Sequence, residues 1–547
     1  MIKTDFVSYR TPSGQTIIAA CDHIPPADKK RPFIIIPSAF GETKCDSVGL
    51  SYFLAMNGFD VLRYDGTSHP GESDGDMYDF TLSGGKKDLI ASIDFVSKTF
   101  HPPTIGIVAK SLSWRYSLKA ATEDRRIKYL LGIGGIVNLQ ATLKSIYRED
   151  LVDLVKRGKF KKKKFSDIFG YQISVNFMED AITNNYHSIR STLNDFRKLR
   201  IPTGYFFADN DAWVEIEDVK KVMSSGHAIS GLHIIRNVLH QINENPLGAL
   251  CIFRQTVTSC KQYLNKERID HKDVIKPPLS VEAAQKRLEK KRLRTCEIIK
   301  EQESLFWKKY LTKYSFIDHI PDFRAYMEDV INIFGGIGKE DIVLDLGCGP
   351  GFFGTWIMEK NIDNFPTYIG VDIVDAVLQS AKKGHADILK KMGKHEYLNK
   401  LHYLSGDVDF SKRQHHNGTY ICFKEGVADK ICCSLLISYL QSPSLLLKEC
   451  FRILKPGGIL VVSSLKPYAD LSLIYRNFVS QIRKKADIEK AKKLLSSAGM
   501  IRIKESQGHY RFYSEKQIAL LLRKAGFKNI RCIRSFGNQA NLAVAIK

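Results

Sequence analysis

Two separate stretches of this chain alternate short, β-branched apolar runs with segments of helix length, and nothing else in it constrains the fold as strongly. In the first stretch the runs are 33–36, 59–64, 104–109, 129–137, 203–208 and 232–238. In the second they are 342–346, 368–372, 401–404, 428–433 and 459–463. Continuous apolar strands separated by helices belong to parallel sheets covered on both faces. The expected fold class is therefore α/β, as two doubly wound domains, each on its own parallel sheet. Between them, residues 281–316 are charged and almost free of Gly and Pro, and they follow Pro277-Pro278. A charged helical linker over 276–320 is expected, dividing a first domain, 1–275, from a second, 321–547.

Composition narrows the class further. A hydrophobic fraction of 44% and a charged fraction of 26% are ordinary globular values, which exclude disorder, a collagen-like chain and a disulfide mini-scaffold. No apolar run approaches the roughly 18 residues that span a bilayer, and residues 1–10 lack the apolar core of a signal peptide. The eleven cysteines contain no CxxC pair, and Cys432-Cys433 lies in an apolar stretch that points to burial rather than zinc. No metal site and a reducing, cytoplasmic location are expected. The net charge of +23 favours acidic partners: nucleic acid, anionic headgroups or an acidic carrier protein. Locally, Lys156, Arg157, Lys159 and 161–164 put seven cations in nine residues, as either a solvated face or a docking patch.

Ser111 follows the buried-strand pattern Ile105-Gly106-Ile107-Val108-Ala109 and precedes a helical pattern. A serine at such a junction can stand exposed on a sharp turn, with the N–H of Leu112 aimed at any oxyanion formed by its attack. A serine that merely caps the helix fits this stretch as well. Asp211 follows the apolar run 205–208, and His240 follows another strand 29 residues later. The chain order Ser, Asp, His is that of α/β-hydrolases. In that arrangement Ser111 attacks a carbonyl, His240 moves the proton, and Asp211 holds the imidazole tautomer. A second oxyanion donor is expected after the first central strand, at Ala39.

Together these residues resemble a known family. Asn57-Gly58-Phe59, Arg63-Tyr64-Asp65, Asp79-Phe80-Thr81, Ser111-Leu112-Ser113, Gly135 to Leu139, Asn210-Asp211 with Trp213-Val214, and His240 before Glu244-Asn245 are similar to the acyl transferase of bacterial luminescence systems. The resemblance covers most of residues 1–260 and implies an α/β-hydrolase that releases fatty acid from acyl-carrier protein. It carries the triad over as Ser111, Asp211 and His240. Lys110 and Trp114 depart from the family, standing where it has small residues, and a reshaped acyl channel is expected from them. The basic run falls where the family's cap is acidic or neutral, which fits docking of an acidic carrier.

The second half opens on Asp345-Leu346-Gly347-Cys348-Gly349-Pro350-Gly351, a strand entering a glycine-rich turn. Glycines there let a ligand approach the backbone closely. A second strand ends at Asp372, placed to accept ribose hydroxyls, and a third leads into Asp407, placed to bond an adenine amino group. With Asp429-Lys430-Ile431 and Lys455-Pro456-Gly457-Gly458, the set resembles class I S-adenosylmethionine-dependent methyltransferases over roughly 320–547. The nicotinamide fingerprint GxGxxG is absent, because the glycines stand at 347, 349 and 351. The resemblance implies S-adenosylmethionine as cofactor, with Asp345, Gly347, Gly349 and Gly351 shaping the methionine side. His509 and Arg511 are candidates to touch an acceptor, and Tyr510 is expected to pack.

The expectation is a bifunctional enzyme: an acyl transferase or thioesterase that takes an acyl chain from an acidic carrier, fused to a methyltransferase acting on the product or a related small-molecule or lipid acceptor. Two other readings stay open. In one, the first half no longer turns over and only presents carrier-bound substrate; in the other, the methyltransferase modifies RNA, although no RNA-binding motif supports a nucleic-acid partner.

Overall fold

The computed structural model describes residues 2–26, 30–159, 165–226, 230–265, 270–296, 303–409 and 423–547. The chain divides into two compact units, Met1–Ile298 with Ser506–Gly508, and Ile299–Glu505 with His509–Lys547. The basic run at 161–164 lies outside the described residues; Lys156, Arg157 and Lys159 are described and exposed.

The first unit contains β1 (Lys3–Arg10), β2 (Thr16–His23), β3 (Phe33–Ile36), β4 (Asp60–Tyr64), β5 (Ile105–Lys110), β6 (Ile127–Ile133), the hairpin β7 (Phe165–Ile168) and β8 (Tyr171–Ser174), then β9 (Thr203–Ala208) and β10 (Ser230–Ile235). Eight of these form one sheet in the order β1-β2-β4-β3-β5-β6-β9-β10. From β4 to β10 every pairing is parallel, with Ile34 opposite both Val61 and Gly106. All four residues of β3 are buried, as a central parallel strand requires. The expectation of a wholly parallel sheet needs correction, because β1 and β2 pair as an antiparallel edge. Half-exposed β1 lacks the continuous apolar run that marks the central strands.

The helix Leu279–Cys296, expected as part of a linker, belongs to this first unit. The reason is a buried ion network. The fully buried Arg63 guanidinium donates to Asp22 at 2.7 Å and to both Glu289 oxygens at 2.6 and 2.7 Å. Arg292 adds a bond to Glu72 at 2.9 Å. The boundary therefore falls at Ile298 rather than at Pro277-Pro278, and the helix Glu303–Tyr314 opens the second unit.

That unit contains β11 (Ile342–Leu346), β12 (Thr367–Asp372), β13 (Leu401–Ser405), β14 (Ala428–Cys433), β15 (Leu454–Leu465), β16 (Lys528–Ser535) and β17 (Ala540–Ile546). The sheet order is β13-β12-β11-β14-β15-β17-β16. The first five strands are parallel, while β17 and β16 are antiparallel additions that the sequence pattern did not reveal. Strand order reverses beside β11, which opens a crevice at the carboxyl ends of the strands. Cys432 and Cys433 are fully buried in this sheet.

Candidate active sites

Ser111 stands between β5 and the helix Leu112–Glu123 with φ 47° and ψ −126°. Such a conformation costs a residue with a side chain about 1–3 kcal/mol, so its surroundings must impose it. The Ser111 N–H donates to the Ile133 carbonyl at 3.0 Å, and its carbonyl accepts from Ile136 at 3.0 Å and Trp114 at 3.2 Å. The small flanking side chains let the turn close: Ala109 and Ser113 are fully buried, and the Ser113 hydroxyl donates to the Lys110 carbonyl at 2.7 Å.

The three side chains expected as a relay are hydrogen-bonded in series. Ser111 Oγ lies 2.9 Å from His240 Nε2, and His240 Nδ1 lies 2.7 Å from Asp211 Oδ2. The other Asp211 oxygen accepts the Trp213 and Val214 N–H groups at 2.8 and 3.1 Å, which fixes the buried carboxylate's direction. An ionised carboxylate only accepts, so Nδ1 carries the imidazole proton and Nε2 is left to accept from the serine. The loops bearing acid and base are joined by the Asp209 N–H on the Ile235 carbonyl at 3.0 Å and the Asn210 N–H on the Val238 carbonyl at 3.1 Å.

Leu112 is the first helical residue, so its N–H is one that no carbonyl of its own helix can reach. Ala39 is held from both sides. The Ser38 carbonyl accepts the Tyr116 hydroxyl at 3.0 Å, and the Ser38 hydroxyl donates to the Tyr64 carbonyl. In a trans peptide N–H and carbonyl point oppositely, so the Ala39 N–H faces away from Tyr116. The Ala39 carbonyl accepts from Glu42 at 2.9 Å, the Glu42 carboxylate pairs with the Lys110 ammonium, and the Tyr171 hydroxyl donates to the Gly41 carbonyl at 3.2 Å. Glu42 and Tyr171 are positions that sequence reasoning missed, because each acts on a loop far from it in the chain.

Trp114 turns out differently from expectation. Trp114 is fully buried in the packing of helix on sheet. A Cβ on Gly132 or Gly135 would come within 2.5–2.6 Å of its ring. It fills a space that two glycines open and does not reshape a channel. The aromatic surface at the carboxyl edge of the sheet comes instead from Phe40 after β3, which meets Phe80 at 5.5 Å and Tyr171 at 6.0 Å, and from Phe169 against Trp213 at 5.7 Å.

In the second unit the expected ligand residues converge, except Gly351, which does not line the cleft. Asp345, Gly347, Gly349, Asp372 and Asp407 all line one open cleft of about 1050 Å³ counted to its mouth. Asp372 accepts the Gly349 N–H at 2.9 Å and the Val374 N–H at 2.9 Å, one on each oxygen, leaving lone pairs on both. Burial raises its carboxyl above the ordinary range. Asp345 accepts the Tyr368 hydroxyl at 2.7 Å, yet burial pushes its carboxyl up to about 7. Asp407 accepts the Asp409 N–H at 2.8 Å.

The glycine turn is shaped by close approach from behind. Gly351 has φ 85°, and a Cβ there would lie 2.6 Å from His385 Nε2. His385 donates through Nε2 to the Gly351 carbonyl at 2.7 Å and accepts the Tyr403 hydroxyl on Nδ1 at 2.6 Å. Burial lowers its pKa, consistent with the neutral ring this pairing needs. A Cβ on Gly349, by contrast, would meet nothing closer than Leu311 at 3.8 Å, so the turn faces open space there. Those features fit a nucleoside ligand with a cationic tail. Sequence reasoning missed His385, Tyr368 and Tyr403, whose spacing forms no motif. His509, Tyr510 and Arg511 do not line the cleft. Tyr510 packs on Trp307 at 5.8 Å and Tyr439 at 5.0 Å, as expected of it.

Both halves of the chain match known families. The family described as acyl transferase matches residues 21–296, and the methyltransferase domain matches residues 316–531. An acyl transferase of Photobacterium phosphoreum is 31% identical over 42% of this chain and 74% of its own length. One from Photobacterium leiognathi is 32% identical over 46% of this chain and 81% of its own. Among solved structures, the ferulic acid complex of Est1E from Butyrivibrio proteoclasticus aligns at 19% identity, covering 47% of this chain and 99% of that one, with a TM-score of 0.40. With an α/β-hydrolase-type sheet carrying the matched residues of its first unit, and a class I methyltransferase domain as its second, the chain belongs to the acyl transferase family.

Proposed function

We propose that the first unit takes an acyl chain from a carrier-protein thioester onto Ser111 and passes it to water or another acceptor. The observation that carries this reading is the hydrogen-bonded series Ser111–His240–Asp211 on a strained strand-to-helix turn. Ser111 Oγ attacks the thioester carbonyl as His240 Nε2 takes its proton. Asp211 keeps Nδ1 protonated and stabilises the imidazolium that forms. Leu112 and Ala39 N–H groups would meet the oxyanion. His240 then returns the proton to the leaving thiolate, and a second acceptor reverses the steps. An acidic carrier fits the net charge of +23 and the exposed Lys156, Arg157 and Lys159 beside the 161–164 run.

The second unit would hold S-adenosylmethionine, which when bound supplies an electrophilic methyl on sulfur. Asp372 would accept from the ribose, Asp407 from the adenine amino group, and Asp345 would face the ammonium. Gly349 leaves room for the methionine portion. Alignment of acceptor and methyl, rather than a strong base, is what this cleft contributes. One chain carrying both sites raises the effective concentration of a shared intermediate, which favours consecutive steps in lipid or polyketide-like metabolism. Among the described residues no helix is long and apolar enough to cross a membrane.

The test is mass spectrometry of products from the full chain given acyl-carrier protein thioester and S-adenosylmethionine, beside Ser111→Ala. Acyl release and methylation together, with release lost in the variant, support the bifunctional reading. Methylation with no acyl release by the wild type would instead support a presenting module.

A further inference from the structure

We infer that the acceptor side of the second unit's cleft takes a flat aromatic molecule in preference to a free acyl chain. This rests on the methyl-donor reading of the same cleft and adds the class of the acceptor. Sheet order supplies the first part of the argument. Strands β12 and β13 lie on one side of β11, and β14 lies on the other. Asp372 ends β12, and Asp407 and Asp409 follow β13, so these carboxylates gather on the side suited to a nucleoside.

The β14 side is different in kind. Its wall is Leu435, Leu436, Tyr439 and Leu440, and it is faced by Trp307 and Tyr310 of the helix Glu303–Tyr314. Trp307 meets Tyr439 at 4.8 Å and 61°, and Tyr310 at 5.4 Å and 85°. Rings set at steep angles offer both edges and faces to a flat guest. The one small hydroxyl there, on Ser434, is engaged with Tyr326 at 2.6 Å.

Among the described residues that line the cleft there is no Lys, Arg or His. A neutral ring loses little on leaving water, and being rigid it gives up less freedom than an acyl chain.

Calorimetry on the full chain loaded with S-adenosylhomocysteine tests this without turnover, using 2-naphthol and decanoate as probes. The expected result is one-to-one binding of 2-naphthol, weakened about tenfold by Trp307→Ala and largely restored in Trp307→Phe, with no displacement by decanoate. Affinity for S-adenosylhomocysteine should stay within about twofold in both variants, since Trp307 lies on the acceptor side. Displacement of 2-naphthol by decanoate, failure of 2-naphthol to bind, or indifference to Trp307→Ala would overturn the inference. Should Trp307→Ala lose S-adenosylhomocysteine as well, the wild-type comparison of the two probes and the Trp307→Phe variant still decide it. Failure of the wild type to bind S-adenosylhomocysteine would sink the methyl-donor reading instead, so the two failures are separable.

Discussion

The turn at Ser111 and the turn at Gly347 to Gly351 hold equivalent places, each carrying the chain from a central parallel strand into a helix at a sheet's carboxyl edge. Both use positive φ, but to opposite ends. At φ 47° Ser111 lifts a side chain clear of the sheet, and neighbouring backbone bonds restrain the strain. At φ 71°, 52° and 85° the three glycines remove side chains altogether. Their N–H groups are engaged inside the protein, Gly347 on Val371 at 2.8 Å, Gly349 on Asp372 at 2.9 Å and Gly351 on Cys348 at 3.0 Å. What the second turn offers a ligand is therefore space, with polar contacts left to Asp345, Asp372 and Asp407. One strand-turn-helix frame thus presents a side chain in one unit and leaves room for close approach in the other.

The comparison breaks most visibly if substitutions in one unit fail to stay silent in the other. Asp211→Asn should lower acyl transfer by about ten-thousand-fold through the wrong imidazole tautomer. S-adenosylhomocysteine affinity, measured by calorimetry, should not change. In the opposite direction, Gly351→Ala combines a left-handed backbone with a contact 2.6 Å from His385. Strain and overpacking together should weaken S-adenosylhomocysteine binding about a hundredfold while acyl transfer persists.

Smaller effects sharpen the picture of each frame. Glu42→Gln removes the pairing of Lys110 with the Ala39 loop, and kcat for acyl transfer should fall about tenfold with KM little changed. A charge exchange, Glu42→Lys with Lys110→Glu, should recover part of that loss, and a purely structural role would lower Tm without this rescue. The smallest effect belongs to Asp345. Its folded-state pKa of about 7 lies above the ordinary carboxylate value, so folding favours the protonated form. Stability from this group is present below about pH 4 and is lost as pH rises to about 7. Asp345→Asn, whose amide oxygen can still accept from Tyr368, should flatten that slope in thermal unfolding of the second unit.

Legibility in the sequence followed the physics of each element. Strands buried along their whole length, such as β3 and β9, were visible as apolar runs, β11 and β14 as apolar runs interrupted by charged residues, and the order of Ser111, Asp211 and His240 followed from them. The antiparallel strands β1, β2, β16 and β17 were not, because antiparallel pairing needs no such run. The helix Leu279–Cys296 looked like a linker because its composition is charged. Only the pairing of Arg63 with Glu289 reveals that this charge is partly buried. Residues that set the sites through distant contacts, Glu42 on Lys110 and His385 on Gly351, carry no local signal. Trp114 misled for the related reason that its receiving glycines, Gly132 and Gly135, come later in the chain.

The most direct measurement is intact-protein mass spectrometry after brief exposure of the full chain to an acyl thioester. The account predicts an added acyl mass mapping to Ser111, absent from Ser111→Ala and accumulating in the wild type when acceptor is withheld. A wild-type protein that turns the thioester over with no adduct, or an adduct that survives Ser111→Ala, would contradict it.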